Sequence, residues 1–102
     1  MEMRIIKVKT LEANWTKYSD AESALREWVR DVKDANWETP NDVQTRYPNA
    51  RTLKDNRVVF KIKGNDYRLI VHIFYPAKVV YIKWFGTHAD YDDVDALEVD
   101  DY

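Results

Sequence analysis

A change of hydrophobic period at Asn56 constrains this chain more than any other feature of its sequence. Before it, apolar residues recur every three or four positions, the spacing of one helix face; after it they alternate, the spacing of a strand with one buried face. Val58, Phe60 and Ile62 fall on one side, and Arg57, Val59, Lys61 and Lys63 on the other. Gly64-Asn65 reads as a two-residue hairpin turn, because glycine takes positive φ without a steric penalty. A second strand is predicted from Asp66 to Tyr75, a turn at Pro76-Ala77-Lys78, and a third strand from Val79 to Phe85, ending at Gly86. Strands joined by turns this short run antiparallel.

Upstream, Met3 to Val8 reads as a short strand and Thr10 as the cap of a short helix carrying Leu11, Trp15 and Tyr18. Ser19 and Glu22 have capping-box spacing, and Ala21, Leu25, Trp28, Val29 and Val32 then form one apolar stripe opposite Arg26, Arg30 and Lys33. Thr39 and Pro40 read as the N-cap and first-turn proline of a third short helix running toward Tyr47 and closed by Pro48. Thr87 can cap a last short helix beginning at His88. The order βαα(α)βββα makes this an α+β two-layer domain, with the N-terminal helices on one face of a small, mainly antiparallel sheet. The 102 residues suffice for one core. A single domain is expected over 1–97, followed by a frayed acidic tail at 98–102.

The net charge of -2 conceals an asymmetry. Residues 1–89 hold all 16 basic residues against eleven acids, a net +5, and the remaining seven acids follow from Asp90 onward. A basic body with interleaved aromatics suits a polyanion, since phosphate neutralisation and base stacking supply affinity. No apolar run approaches the ~20 residues of a membrane span, and the apolar start is too short for a signal peptide, so a cytoplasmic protein with no membrane partner is expected. There is no cysteine, two glycines cannot build a phosphate-cradling loop, and the histidines are His72 and His88 alone. No metal site or cofactor is expected.

The remaining groups with chemistry to offer are Lys61, Lys63, Arg68, His72, Lys83, His88 and Tyr91. Arg68 and His72 are four apart in a strand and share a face. Ile70 and Phe74 lie on that face too, which pins Arg68 in a groove where it needs an anionic partner or an internal carboxylate. His88 and Tyr91, three apart at a helix start, project to one side near backbone N–H groups that favour an anion. A hydrogen-bonding His with a core Tyr, and lysines on a solvated strand face, account for the same pattern without function. Trp15, Trp28, Trp37 and Trp84 read as packing residues.

The segments Asn56-Arg-Val-Val-Phe60, Lys63-Gly-Asn65, Tyr67-Arg-Leu69 and Gly86-Thr-His-Ala-Asp-Tyr-Asp92 closely resemble the HigB toxins, RelE-like messenger-RNA endonucleases of bacterial toxin–antitoxin pairs. Asp20-Ala-Glu22, Trp37-Glu-Thr-Pro40 and Tyr47-Pro48 extend the resemblance from Met3 to about Ala96. It implies a RelE/ParE-like fold and metal-free cleavage of messenger RNA, usually in the ribosomal decoding site. The implied partner is a HigA-type helix-turn-helix antitoxin that neutralises the toxin, the complex alone binding promoter DNA. Motif and chemistry together put Arg68 on the scissile phosphate, His88 in acid or base duty and Tyr91 in positioning or proton transfer. Lys61, Lys63 and Lys83 are the candidate RNA contacts. Lys61 stands where the family often carries Asn and His72 where it often carries Lys, so neither takes a role from the resemblance. A gyrase-targeting, DNA-binding or protein-binding module of the same fold is the alternative.

Overall fold

The computed structural model describes residues 2–100. Its elements are β1 (Arg4–Ile6), α1 (Val8–Lys17), α2 (Glu22–Asp34), α3 (Pro40–Arg46), β2 (Arg51–Thr52), β3 (Arg57–Ile62), β4 (Tyr67–Phe74), β5 (Val79–Thr87) and α4 (His88–Tyr91). They form the expected α+β arrangement, with one five-stranded sheet in the order β1-β5-β4-β3-β2. β1 lies parallel to β5, as a strand separated from its partner by helices can, and the other pairs are antiparallel. The short strand β2 has no counterpart in the sequence reading. Both its residues are exposed, so no apolar alternation announces it.

Two expected helix starts are displaced. α1 begins directly after Lys7, which turns the chain in the left-handed region at φ 74°, so Val8 is helical and Thr10 is interior, not a cap. Ser19 to Ala21 form a 3-10 turn, and Ala21 precedes α2 without a side-chain cap. The Ser19–Glu22 box does not form: Glu22 instead pairs one turn on with Arg26, at 2.7 Å. At α3 the cap stands as read. Thr39 Oγ1 accepts from the Asp42 N–H at 3.3 Å, and Asp42 Oδ2 accepts from the Thr39 N–H at 3.2 Å.

The α2 stripe Leu25, Trp28, Val29 and Val32 is buried against the sheet face carrying Val58, Phe60, Ile62, Leu69, Val71, Ile73, Val80 and Ile82. Phe60 is the hub of this layer, with ring centroids 5.4 Å from Trp28 and 5.1 Å from Tyr47. Burying a side chain of this size contributes about 1.5–3 kcal/mol relative to exposure, which is why the alternation in β3 fixes which face meets the helices.

The opposite face is also partly covered. Val59, Ile70 and Trp84 pack with Tyr91, Val94, Ala96 and Val99 from the chain after β5. Arg57 Nη1 straps this segment down by donating to the carbonyls of Ala96 at 3.1 Å and Val99 at 2.8 Å. Lys83 Nζ lies 3.2 Å from Asp100 Oδ1. The expected frayed tail is therefore docked as far as Asp100; residues 101–102 lie outside the described part.

Two backbone details shape the end of the sheet where β3, β4 and β5 turn. Ile62 pairs with Tyr67, so the hairpin loop has four residues, not two. Asp66 N–H closes it on the Lys63 carbonyl at 3.2 Å, with both Lys63 (φ 55°) and Gly64 (φ 64°) left-handed. In β5 the register passes from Val71–Ile82 to Ile70–Trp84, leaving Lys83 as an extra, bulged residue. β5 then continues past Phe85, and Gly86 faces Arg68 across the ladder. A Cβ on Gly86 would stand 2.6 Å from the Trp84 ring, so the indole can occupy its place against β5 only because residue 86 is glycine.

Candidate active site

Lys61, Arg68 and Gly86 form one row across β3, β4 and β5 on the face away from the helices. Arg68 is 7% exposed. Its Nη1 donates to the carbonyls of Asn65 at 3.1 Å and Tyr67 at 3.2 Å, and its Nη2 donates to Asn65 Oδ1 at 2.7 Å. All three acceptors are neutral, and none of the ion pairs among the described residues includes Arg68. The internal carboxylate considered for this groove is absent there. A buried guanidinium oriented by carbonyls but not neutralised is poised for an external anion, and its planar fork suits phosphate.

His88 opens α4 beside it. Thr87 Oγ1 accepts from Asp90 N–H at 3.1 Å, and the His88 N–H donates to the Asp66 carbonyl at 2.9 Å. These bonds consume N–H groups expected to hold an anion at the helix start, which leaves the guanidinium of Arg68 as the nearby cationic donor. They also fix α4 to the β3–β4 loop. The His88 ring meets that loop through Nδ1, 3.3 Å from Asn65 Nδ2. Tyr91 reaches the same place from the end of α4, its ring centroid 5.8 Å from the Arg68 guanidinium and 6.3 Å from the Trp84 ring. Arg68, His88 and Tyr91 thus converge, joined through Arg68 and Asn65.

The three lysines divide. Lys61 is exposed and pairs in register with Arg68, on the same face. Lys63 has its ammonium 2.9 Å from Asp20 Oδ2 and 3.7 Å from Asp66 Oδ2. Lys83 lies at the other end of the sheet face, against Asp100 and 5.8 Å from the Tyr81 ring. His72 is there too, stacked on Tyr81 at 6.0 Å; partial burial, then Lys83 and Arg57, hold its pKa below the usual value. It lies four positions along β4 from Arg68, roughly 13 Å, so it stands apart from the Arg68 cluster.

Two contributors escaped the sequence reading. In sequence Asn65 signals turn chemistry and belongs to a family segment, and nothing in a Gly-Asn pair signals that its amide reaches both Arg68 and His88. Asp20 stands out in sequence only as part of a family segment. Its carboxylate takes the Tyr67 hydroxyl at 2.5 Å as well as Lys63, tying the start of α2 to the hairpin. The Tyr67 bond first, and Lys63 second, hold the Asp20 pKa below the usual carboxylate range; the same bond pushes Tyr67 up to about 12.

A helix layer on a mainly antiparallel five-stranded sheet, with Arg68, His88 and Tyr91 gathered at one end of the face away from the helices, is compatible with a RelE-like toxin fold. The family model for HigB toxins, described as the RelE-like toxic component of a toxin-antitoxin system, matches residues 21–94, and the chain belongs to that family. It is 30% identical over 92 residues to the mRNA interferase HigB of Escherichia coli O6:H1 (strain CFT073), covering 88% of this chain and 89% of the relative. It is 25% identical over 92 residues to the mRNA interferase toxin HigB of Escherichia coli K12, covering 88% of each.

Proposed function

We propose that this chain is the toxin of a type II toxin–antitoxin pair and cleaves messenger RNA presented in the ribosomal decoding site. The observation that carries this reading is Arg68, buried without a carboxylate beside His88 and Tyr91. The names of the relatives supply the substrate class.

The reaction is metal-independent and needs no nucleophile from the protein. The substrate's 2′-oxygen attacks the adjacent phosphorus, giving up its proton as the new P–O bond forms. The bond to the 5′-oxygen breaks, that oxygen takes up a proton, and a 2′,3′-cyclic phosphate remains. Arg68 stabilises the charge that builds on the phosphoryl oxygens, and the largest single contribution to such a reaction is usually of this kind. His88 takes part in the proton transfers, and Tyr91 positions the phosphate against Arg68. Lys61 adds positive charge beside the scissile phosphate. Lys63 and Lys83 contribute to RNA binding after exchanging their carboxylate partners for phosphate.

A HigA-type helix-turn-helix antitoxin neutralises the chain, and promoter DNA is bound only through that complex. The site of action is the cytoplasm.

Inducible expression of wild type and His88→Ala in bacteria, with mapping of new 5′ ends on messenger RNAs, tests the reading. General acid–base terms are worth about 10²–10⁴-fold, so cuts inside translated frames should appear with wild type and vanish with the folded variant. Growth arrest without new RNA ends would instead favour a gyrase-directed or purely binding toxin.

A further inference from the structure

Asn65 sits between the two groups to which the reaction is assigned. Its side-chain oxygen accepts from Arg68 Nη2 at 2.7 Å, while its side-chain nitrogen lies 3.3 Å from His88 Nδ1. The orientation of an amide follows from its partners, and here one partner allows no choice. A guanidinium has only donors, so the oxygen must face Arg68 and the NH2 group must face His88. That NH2 group has only donors in turn, and His88 Nδ1 can close the contact only by accepting. Neutral His88 is thereby held with its proton on Nε2.

The arrangement is braced on every side. The Asn65 carbonyl accepts a second bond from Arg68, at 3.1 Å. The loop is closed on itself by Asp66 N–H, and the neighbouring Asp66 carbonyl holds the His88 N–H at 2.9 Å. Lys63, at the start of the loop, is anchored to Asp20 at 2.9 Å.

We infer that Asn65 is a positioning residue: locked by Arg68, it fills His88 Nδ1 with an N–H and leaves Nε2 as the proton-bearing nitrogen offered to the RNA. Its catalytic consequence rests on the function proposed above, whereas the tautomer itself does not. His88 then meets the phosphate as a hydrogen-bond donor, its Nε2–H directed at a phosphoryl oxygen or the departing 5′-oxygen. Arg68 acquires a second task, since it dictates which nitrogen of His88 bears the proton.

Long-range proton–nitrogen NMR on the 15N-labelled full chain reads the tautomer directly, with His88→Ala separating the His88 signals from those of His72. Neutral His88 in the wild type should show the Nε2–H form. Asn65→Asp replaces the donor with an acceptor and should convert His88 to the Nδ1–H form, while Asn65→Ala should give a mixture. Both variants should lose about 10- to 100-fold in RNA cleavage, the scale seen when the partner that orients a metal-bound histidine is removed, with RNA affinity little changed. A wild-type His88 in the Nδ1–H form, or a tautomer indifferent to Asn65→Asp, would overturn the inference. The expected tautomers without RNA cleavage by wild type would uphold the positioning by Asn65 and refute the ribonuclease reading alone.

Discussion

Tyr67 donates its phenolic proton to Asp20, 47 residues earlier in the chain, across 2.5 Å. With Lys63 on the other carboxylate oxygen at 2.9 Å, this contact carries order from the helix layer into the loop that holds Arg68 and His88. Because Asp20 has a depressed pKa in the folded protein, its contribution to stability is present above the unfolded pKa, near pH 4, and disappears as pH falls through the lower folded value. Asp20→Asn should therefore be less stable than wild type at pH 6, and the difference in urea midpoints should shrink below about pH 4. A difference that stays constant from pH 6 to pH 3 would exclude Asp20 ionisation as its source.

Arg68→Lys keeps the charge but loses the fork that engages Asn65 and Tyr67 together. The variant should remain folded by circular dichroism yet lose cleavage by at least about 10²-fold, the scale of one preorganised donor removed from a developing oxyanion. Comparable cleavage by Arg68→Lys would reduce the role of Arg68 to that of a point charge.

Gly86→Ala tests the floor of the site. The added methyl collides with the Trp84 ring at 2.6 Å, and that ring supports Tyr91. Overpacking of this kind costs about 1–3 kcal/mol. The variant should melt lower than wild type and shift the emission of its tryptophans. An unchanged melting temperature would mean the indole has room to swing away.

Arg57→Ala should free the segment over the sheet face away from the helices, since Arg57 donates to both Ala96 and Val99 carbonyls. Amide exchange at residues 94–100 should accelerate while the protection of β4 is preserved. Protection lost equally in both would show that the segment and the sheet open as one unit.

Much of the fold is legible in residue order because burial repeats with the period of each element. Val58, Phe60 and Ile62 had to share one face, and Leu25, Trp28, Val29 and Val32 one helix side, whatever the rest of the chain did. The Thr39–Asp42 cap and the Thr87 cap are equally local, a side chain meeting a backbone N–H three residues on. Where a local rule met a competing partner it gave way: Glu22 preferred Arg26 to the box with Ser19. β2 carries no apolar residue, and the docked segment spaces Val94, Ala96 and Val99 at no regular period, so their positions depend on what β3 and β5 present to them.

The candidate site divides along the same line. Residue types and spacing nominated Arg68, His88 and Tyr91 as chemistry, and placed Arg68 in a strand with little room for an exposed charge. Tertiary structure decided that Arg68 has carbonyls and no carboxylate around it, that Lys63 is tied to Asp20 while Lys61 stands beside Arg68, and that Asn65 joins Arg68 to His88. These are relations between residues up to 43 positions apart. Periodicity reports only which side of its own element a residue occupies, whereas the register of β3 against β4 and the bulge at Lys83 determine which side chains meet across elements.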